Sequence, residues 1–393
     1  MNILIFEWKN FGVEDIEEAL DHMGHTYTCL SSELIRERVS PEFDSMFEQT
    51  VSAFSFDCVF TFNYSPVVSN NCNRHHIPYI AFVYDSPLVS LYSYTIIQPY
   101  NYVFIFDKAL YLDLKKENIN TVYYLPLAVN TDRLERMLHN PSARAATSGS
   151  HTPYGEIAFV GSMYNEKHNL FDRFHDLSEY TKGYLEGIMQ AQLKVYGYYF
   201  IEDLLKDEVL ANMLKSVPVT PNSDGVETVT YLYAYYFIAR KLAAMERKEI
   251  MQKLSSQYDT RLYTHQKTPD LPHVRNMGPV DYYNDMPAVF KNSPINLNIT
   301  LRSIRSGIPL RCMDIMGAGG FLMSNYQADF YDHFVPGEDL VLYESQEDLL
   351  SKCDYYLHHD AERRQIATNG LGKVKEAHTY EIRLAQIFDI VFN

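Results

Sequence analysis

Short apolar runs that alternate with helical patterns constrain the fold of this chain more than any other feature. In the first 130 residues these strand-like runs cover 2–6, 26–30, 57–62, 79–84, 102–106 and 121–125. A helical pattern over 13–23 ends at Gly24, a residue type that is common after helix C-termini. Strands that alternate with helices build parallel sheets, so the pattern predicts a doubly wound α/β domain.

The same alternation resumes later, and 393 residues exceed one ordinary core. We expect an N-terminal Rossmann-like domain over 1–138 and a linker over 139–155, where small, polar and turn-forming residues cluster. A second α/β domain is expected over 156–393, with a Tyr-rich helical insertion at about 165–258. Within this insertion, the run 228–240 favours a buried helix seam over a surface that stacks nucleic-acid bases.

The charge balance excludes several classes of partner. Lys and Arg number 34 against 50 Asp and Glu, a formal charge of −16, which argues against nucleic-acid binding. No apolar run has the length of a membrane span, and the N-terminus lacks the basic region of a signal peptide. Five scattered cysteines without metal-ligand spacing indicate reduced thiols. We therefore expect a cytoplasmic protein and leave open peripheral association with the inner face of the membrane.

A segment at 306–321 has the composition of a phosphate-binding βαβ unit. It follows an apolar run and combines a Gly/Pro loop, a short helix and a Gly-rich turn. Arg305 and Arg311 flank the start of the helix, where free N–H groups, the helix dipole and guanidinium groups favour phosphate oxygens. Asp314, within the helix, could accept bonds from sugar hydroxyls, so the segment suggests a nucleotide-sugar site. The alternatives are a solvated basic face and a plain ion pair between Arg311 and Asp314.

Two glycine-containing turns could add to this site. Gly161 and Ser162 follow the first strand of the second domain, where glycine allows the backbone to approach a ligand. Gly278 follows a later strand-like run and could place backbone groups beside a base ring. Taken alone, an ordinary strand-to-helix turn is the simpler explanation of Gly161 and Ser162, and Gly278 by itself is a similarly weak signal.

The first domain offers candidates for an acceptor side. Asp85 ends an apolar strand and could act as a general base with a raised pKa, or it could cap the following helix. Gly12 and Glu14 lie at the first strand-to-helix turn, where Glu14 could also be a simple helix-start charge. His76 could line the cleft, and no carboxylate at metal spacing accompanies it, so we expect no metal site and no cofactor.

These motifs resemble bacterial CgeB-like glycosyltransferases. The resemblance is carried in the second half by Phe-Val-Gly-Ser-Met-Tyr and by the arginine and Asp-Ile-Met-Gly-Ala-Gly segments, and in the first half by Val-Tyr-Asp-Ser-Pro. In chain order the matching positions are 83–87, 159–164, 298–311, 314–322, 337–343 and 378–380.

The resemblance implies a GT-B fold, in which two Rossmann-like domains face each other across a cleft. It places the acceptor on the first domain and the nucleotide-sugar on the second, with arginines and helix ends in place of a metal. The last helix of such a chain is expected to pack back on the N-terminal domain. In the Glu-x7-Glu signature of the broader group, Asp314 falls on the second Glu, which holds ribose hydroxyls, and Ser306 replaces the first.

We therefore expect a metal-independent glycosyltransferase, of the hexosyl or a related type. It would move a sugar from a nucleotide-sugar donor to a hydroxyl of a glycan, protein or other cell-surface precursor. A nucleotide-sugar epimerase of the same fold and a non-catalytic nucleotide-sugar-binding module are the alternatives. The residues expected to bind the donor are Gly161, Ser162, Gly278, Arg305, Arg311 and Asp314, with Asp85 as the catalytic base.

Overall fold

A computed structural model describes residues 1–139, 154–166 and 169–393. The chain forms two compact units. The first unit contains Met1–Ala128, Pro221–Glu227 and His378–Asn393, and the second contains Val129–Thr220 and Thr228–Ala377. Most of the predicted linker, 140–153, lies outside the described residues. The second unit begins at Val129, ahead of that linker, because Val129 and Leu134 pack into the hydrophobic core of the second unit.

The first unit contains a six-stranded parallel sheet in the order β2-β1-β3-β4-β5-β6. Its strands are β1 (Asn2–Glu7), β2 (Thr26–Ser31), β3 (Cys58–Phe62), β4 (Tyr79–Val83), β5 (Asn101–Ile105) and β6 (Val122–Tyr124). Every residue of β3 and β4 is buried, as expected for central strands covered by helices on both faces.

Helices that begin at capped turns cover this sheet. Ser40 and Ser65 each accept a hydrogen bond from a backbone N–H of the helix that follows, and a proline occupies the first turn of both helices. The helices are α1 (Val13–His22), α2 (Pro41–Ala53), α3 (Pro66–His75) and α4 (Lys108–Lys116), with 3₁₀ turns at Glu33–Arg36, Val89–Tyr92 and Tyr94–Ile97.

The second unit contains another six-stranded parallel sheet, in the order β12-β11-β10-β7-β8-β9. Its strands are β7 (Ile157–Val160), β8 (Thr260–Tyr263), β9 (Arg275–Asn276), β10 (Ile295–Asn298), β11 (Leu322–Asn325) and β12 (Val341–Tyr343). The two doubly wound parallel sheets confirm the predicted fold class.

Helices surround this second sheet and form the insertion between β7 and β8. They are α5 (Thr131–His139), α6 (Glu179–Leu193), α7 (Ile201–Leu204), α8 (Asp207–Ser216), α9 (Val229–Leu232), α10 (Ala239–Ser255), α11 (Met286–Asn292), α12 (Leu310–Gly317), α13 (Phe330–His333), α14 (Gln346–His358) and α15 (Asp360–Ala377). A 3₁₀ turn occupies Phe171–Arg173. No helix in the described ranges is long and apolar enough to cross a membrane.

The Tyr-rich run of the insertion forms a buried helix face. A π-helical stretch, Tyr233–Ile238, joins α9 to α10. Tyr233 is fully buried, and its hydroxyl donates to the carbonyl of Val217. The hydroxyl of Tyr199 likewise donates to the carbonyl of Ala234. The aromatic residues therefore fill a core and satisfy their hydroxyls within the protein.

Two segments that are distant in sequence complete the first unit. The turn Pro221–Glu227 comes from the insertion, and its Asp224 accepts a bond of 2.9 Å from the guanidinium of Arg38. The last helix, α16 (Tyr380–Phe392), packs against α1. Its Arg383 donates to the carbonyl of Pro126 at 2.7 Å.

Candidate functional site

The carboxyl ends of the strands in the second sheet meet at one edge, because all six strands are parallel. Gly161 and Ser162 leave β7 at this edge, and Gly278 leaves β9. Gly278 has φ of +81°, a conformation that favours glycine. The segment after Gly278 leads to Tyr282, whose hydroxyl contacts Asp314, the residue predicted to bind the ribose.

Asp314, the residue predicted to bind the ribose, is buried in the middle of α12. Its Oδ1 accepts a hydrogen bond of 3.0 Å from the Tyr282 hydroxyl, and its Oδ2 lies 3.8 Å from Nη1 of Arg311. The ion pair left open by the sequence is therefore formed. Arg311 also contacts the sulfur of Met286, and its side chain remains 29 % exposed. Asp314 is thus oriented by a phenol and a guanidinium at the start of a helix.

Arg305 lies beside the helical insertion. Burial raises the pKa of the Glu202 carboxyl, and the nearby positive charge of Arg305 opposes this rise. The loop that carries Arg305 is held by Gln327, whose amide donates to the carbonyls of Ile304 at 3.0 Å and Gly307 at 3.1 Å. Gln327 is remote in sequence from this loop, so no local pattern predicts the contact.

Arg302, three residues before Arg305 in the chain, is not part of a solvated basic face. Its guanidinium is buried, pairs with Glu246 of α10 at 2.7 Å and lies 3.4 Å from the centre of the Tyr196 ring. It also donates to the carbonyls of Leu193 and Val195. These contacts fasten the insertion to the end of β10, so Arg302 has a structural role.

Arg247 is an arginine at this edge that the sequence interpretation missed. Its two Nη atoms donate to the carbonyl of Ser162, after β7, and to the carbonyl of Ile299, after β10. Its guanidinium lies 4.7 Å from the centre of the Tyr164 ring. Among the described residues, no carboxylate lies at ion-pair distance from it, and its Nε is buried without a hydrogen-bond partner. Burial lowers the pKa of Arg247, and the charge of Arg311 contributes to the lowering.

Arg247 therefore places positive charge at the ends of β7 and β10, the edge of the sheet that leads into the predicted phosphate-binding segment. It belongs to a long helix with no local motif, and only the tertiary fold brings it to the strand ends. Sequence spacing carries no signal for such a residue.

In the first unit, Asp85 lies just beyond the carboxyl end of β4 and beside the residue that follows β3. The Asn63 side-chain NH2 donates to Oδ2 of Asp85 at 2.8 Å. The Oδ1 of Asn63 accepts hydrogen bonds from the backbone N–H groups of Tyr84 and Asp85. Asp85 retains solvent-exposed surface. The surrounding protein atoms nevertheless reduce its hydration and raise the pKa of the carboxyl, and the Asn63 bond lowers it in part.

Gly12 and Glu14 lie at the start of α1, beyond the end of β1. Gly12 has φ of +93°, and a Cβ there would come within 3.0 Å of the Tyr380 hydroxyl. That hydroxyl bonds to the hydroxyl of Tyr84 at 2.7 Å. Gly12 is buried and Glu14 is exposed. The ends of β1, β3 and β4 thus bring Gly12, Tyr84 and Asp85 to one edge of the first sheet.

His76 does not lie at that edge. It ends α3, which runs from the end of β3 back to the start of β4, so His76 lies at the edge where strands begin. Its ring packs on Tyr100, with ring centres 5.2 Å apart. The acceptor-side assignment of His76 is therefore corrected, because the crossover helix carries the residue to the opposite end of the sheet.

No group of three or more His, Cys, Asp or Glu side chains in the described part of the chain is placed to hold a metal ion. The five cysteines are free thiols, and four of them are buried.

Comparisons with known proteins place these sites in context. Residues 240–389 match a family described as glycosyl transferase-like. No curated protein sequence matches the chain significantly. Among solved structures, a glycosyltransferase from Rickettsia africae is 11% identical, with a TM-score of 0.54 over 100% of this chain and 99% of that one.

Two further structures are similar over 100% of this chain and 99% of their own. They are a sucrose-phosphate synthase from Thermosynechococcus elongatus and Anabaena HepE in complex with UDP-glucose, each with a TM-score of 0.57 and 10% identity. At such identities the likeness concerns the fold. Residues 240–389 thus match the glycosyl transferase-like family, and the chain as a whole has the fold of GT-B glycosyltransferases.

Proposed function

We propose that this chain is a glycosyltransferase that moves a sugar from a nucleotide-sugar donor to a hydroxyl group of an acceptor. The observation that carries the proposal is the guanidinium of Arg311 beside a buried, oriented carboxylate, Asp314, at the edge of the second sheet where Arg247 holds the ends of β7 and β10. All three residues lie within the part of the chain that matches the glycosyl transferase-like family.

Each donor group has a chemical counterpart at this edge. Arg311 and Arg305 would bind the diphosphate, together with the backbone at Gly161 and Ser162. Asp314 would accept bonds from ribose hydroxyls, and Gly278 would allow backbone groups to lie beside the base. Because Tyr282 already donates to Asp314, its hydroxyl would hold the carboxylate in place as the ribose binds.

The reaction breaks the bond between the anomeric carbon and the diphosphate and forms a bond from that carbon to the acceptor oxygen. Charge grows on the leaving diphosphate, and fixed guanidinium groups stabilise it most strongly in the transition state. We propose that these arginines act without a metal. Asp85, a carboxylate with a raised pKa, would take the proton of the acceptor hydroxyl.

Our finer assignments follow the family resemblance of the motifs. We propose a bacterial, CgeB-like enzyme of the hexosyl or a related type, with a glycan, protein or other cell-surface precursor as acceptor. A cytoplasmic location would suit its free thiols. UDP-glucose is the first donor to test, because HepE, which has the same fold, was crystallised with it.

Product analysis tests this proposal. The protein is incubated with UDP-, GDP-, dTDP- and CMP-linked sugars and a panel of hydroxyl acceptors, and products are identified by mass spectrometry. We expect one donor to yield free nucleotide together with an acceptor heavier by one sugar residue. Conversion of a nucleotide-sugar into its epimer without an acceptor, or binding with no turnover of any donor, would contradict the proposal.

A further inference from the structure

A polar cavity of about 490 Å³ lies at the edge of the second sheet opposite the candidate donor site. Ser293 and Pro294, which precede β10, form part of its wall, as do Gly319 and Phe321, which precede β11. The first half of α15 forms the other side. A second cavity, of about 390 Å³, also has Lys291, Asn292 and Leu371 among its lining residues, so Lys291 lies between the two cavities.

The walls of the cavity carry an excess of positive charge. Lys291, Arg363 and Arg364 line it, and Asp360 is the acidic residue among the lining side chains. The two oxygens of Asp360 pair with different arginines, one with Arg363 and the other with Arg364. Lys291 forms no ion pair with any described residue, and its Nζ lies close to Gly319. In a chain with a formal charge of −16, this local excess is unusual.

Two buried polar groups in the wall have no hydrogen-bond partner. The hydroxyl of Ser293 is one of them, in a residue that is only 4% exposed. The Nε of Arg363 is the other, in a side chain that is 12% exposed. An unsatisfied buried donor destabilises a protein, so two of them in the wall of one cavity favour the binding of a ligand that accepts hydrogen bonds.

We propose that this cavity binds a small phosphate monoester. The phosphate oxygens would accept bonds from Lys291, Ser293 and Arg363, three donors that match the charge and the lone pairs of an oxyanion. The cavity volume lies within the usual range for small-molecule sites, about 300–1,000 Å³, and leaves space for the organic part of the ligand. The side chain of Asn292 and the guanidinium of Arg364 offer further polar groups for its hydroxyls.

This site is separate from the proposed donor site. The strands of the second sheet begin at the phosphate cavity and end at Ser162 and Ile299, so the sheet lies between the two sites. The inference does not depend on the proposed transferase activity.

Calorimetric titration of the full chain with inorganic phosphate and with glucose 6-phosphate, at constant ionic strength, tests the inference. We expect saturable binding of both. Lys291→Gln should raise Kd about tenfold, because one charge-assisted bond is lost. Lys182→Gln removes an exposed lysine outside the cavity and should leave Kd within about twofold.

Ser293→Ala separates binding from folding. Because this hydroxyl has no partner, the variant should melt no lower than the wild type, while its Kd for phosphate rises a few-fold. Arg311→Gln, at the donor site, should leave the phosphate Kd unchanged, and Lys291→Gln should leave UDP binding unchanged. No saturable binding of either phosphate, equal Kd values for Lys291→Gln and wild type, or loss of phosphate binding in Arg311→Gln would each overturn the inference.

Discussion

At the scale of single residues, the hydrogen bond between Asn63 and Asp85 allows us to predict how the activity depends on pH. The surrounding protein atoms reduce the hydration of Asp85 and raise its pKa, and the Asn63 amide lowers it in part by stabilising the carboxylate. A general base must be deprotonated, so kcat/KM should fall with decreasing pH at a midpoint above about 3.9, the usual pKa of Asp.

Asn63→Gly removes the donated bond and tolerates the φ of +60° at this position. The pKa of Asp85 then rises further, so the acid limb of the kcat/KM profile should move to higher pH. Asp85→Asn should lose activity at every pH. The role of Asp85 as base would be contradicted if Asn63→Gly left the limb unmoved while the fold, checked by circular dichroism, was intact.

A buried ion pair makes a second prediction at this scale. The side chains of Glu246 and Arg302 are 2% and 4% exposed. Glu246→Leu leaves a buried guanidinium without its carboxylate, a change that usually costs about 3–5 kcal/mol of stability. Melting curves should show a large loss for this variant, and the double variant with Arg302→Met should recover at least half of it.

The surface pair of Glu179 and Lys182 serves as the control. Glu179 is 91% exposed, so Glu179→Gln should cost less than about 1 kcal/mol. Equal losses from Glu246→Leu and Glu179→Gln would show that Arg302 is hydrated and does not fasten the insertion.

At the scale of elements, we expect alanine substitutions at two glycines of α15 to have opposite effects on stability. Gly370 is buried, and a Cβ there would come within 2.4 Å of the backbone oxygen of Asp339. Gly372 is exposed in the same helix, and a Cβ there would meet nothing within 4 Å. Gly372→Ala should therefore raise stability by up to about 1 kcal/mol through helix propensity.

Gly370→Ala gains the same propensity but must displace the backbone of the neighbouring segment. We expect a net loss of about 1–3 kcal/mol, measured as a lower melting temperature. If both variants melted at a higher temperature than the wild type, α15 would not pack closely on the segment before β12.

Most strands could be predicted from the sequence, because buried parallel strands read as short, continuous apolar runs. The run before Gly161 matches β7 at both ends. By contrast, β12 has only three residues and follows a polar turn, so its apolar signal is too short to separate from a loop.

At the scale of the whole molecule, the sequence predicts the local parts of the site better than its long-range parts. Arg311 and Asp314 share one helix, so their spacing predicts their contact. Arg247, Gln327 and Tyr282 reach the site from other elements, and only the fold determines where they lie. The prediction for His76 was wrong for the same reason, because α3 begins at the carboxyl edge of the first sheet but carries His76, at its other end, to the edge where the strands begin.

The sequence also does not predict that a turn of the insertion belongs to the first unit. Arg38 pairs with Asp224, a residue of the insertion, although 185 residues separate them in the chain. The opposite charges of Arg38 and Asp224 favour the ion pair, but no sequence periodicity predicts a contact between residues so far apart in the chain.

The proposed function requires that the carboxyl edge of the second sheet binds the diphosphate of a nucleotide-sugar. Its most direct test is calorimetric titration of UDP, GDP and dTDP into the wild type and Arg311→Gln. We predict that one nucleotide binds the wild type and that Arg311→Gln binds it at least about tenfold more weakly with an unchanged melting temperature. If no nucleotide binds, or if Arg311→Gln binds as tightly as the wild type, the assignment of this edge is wrong.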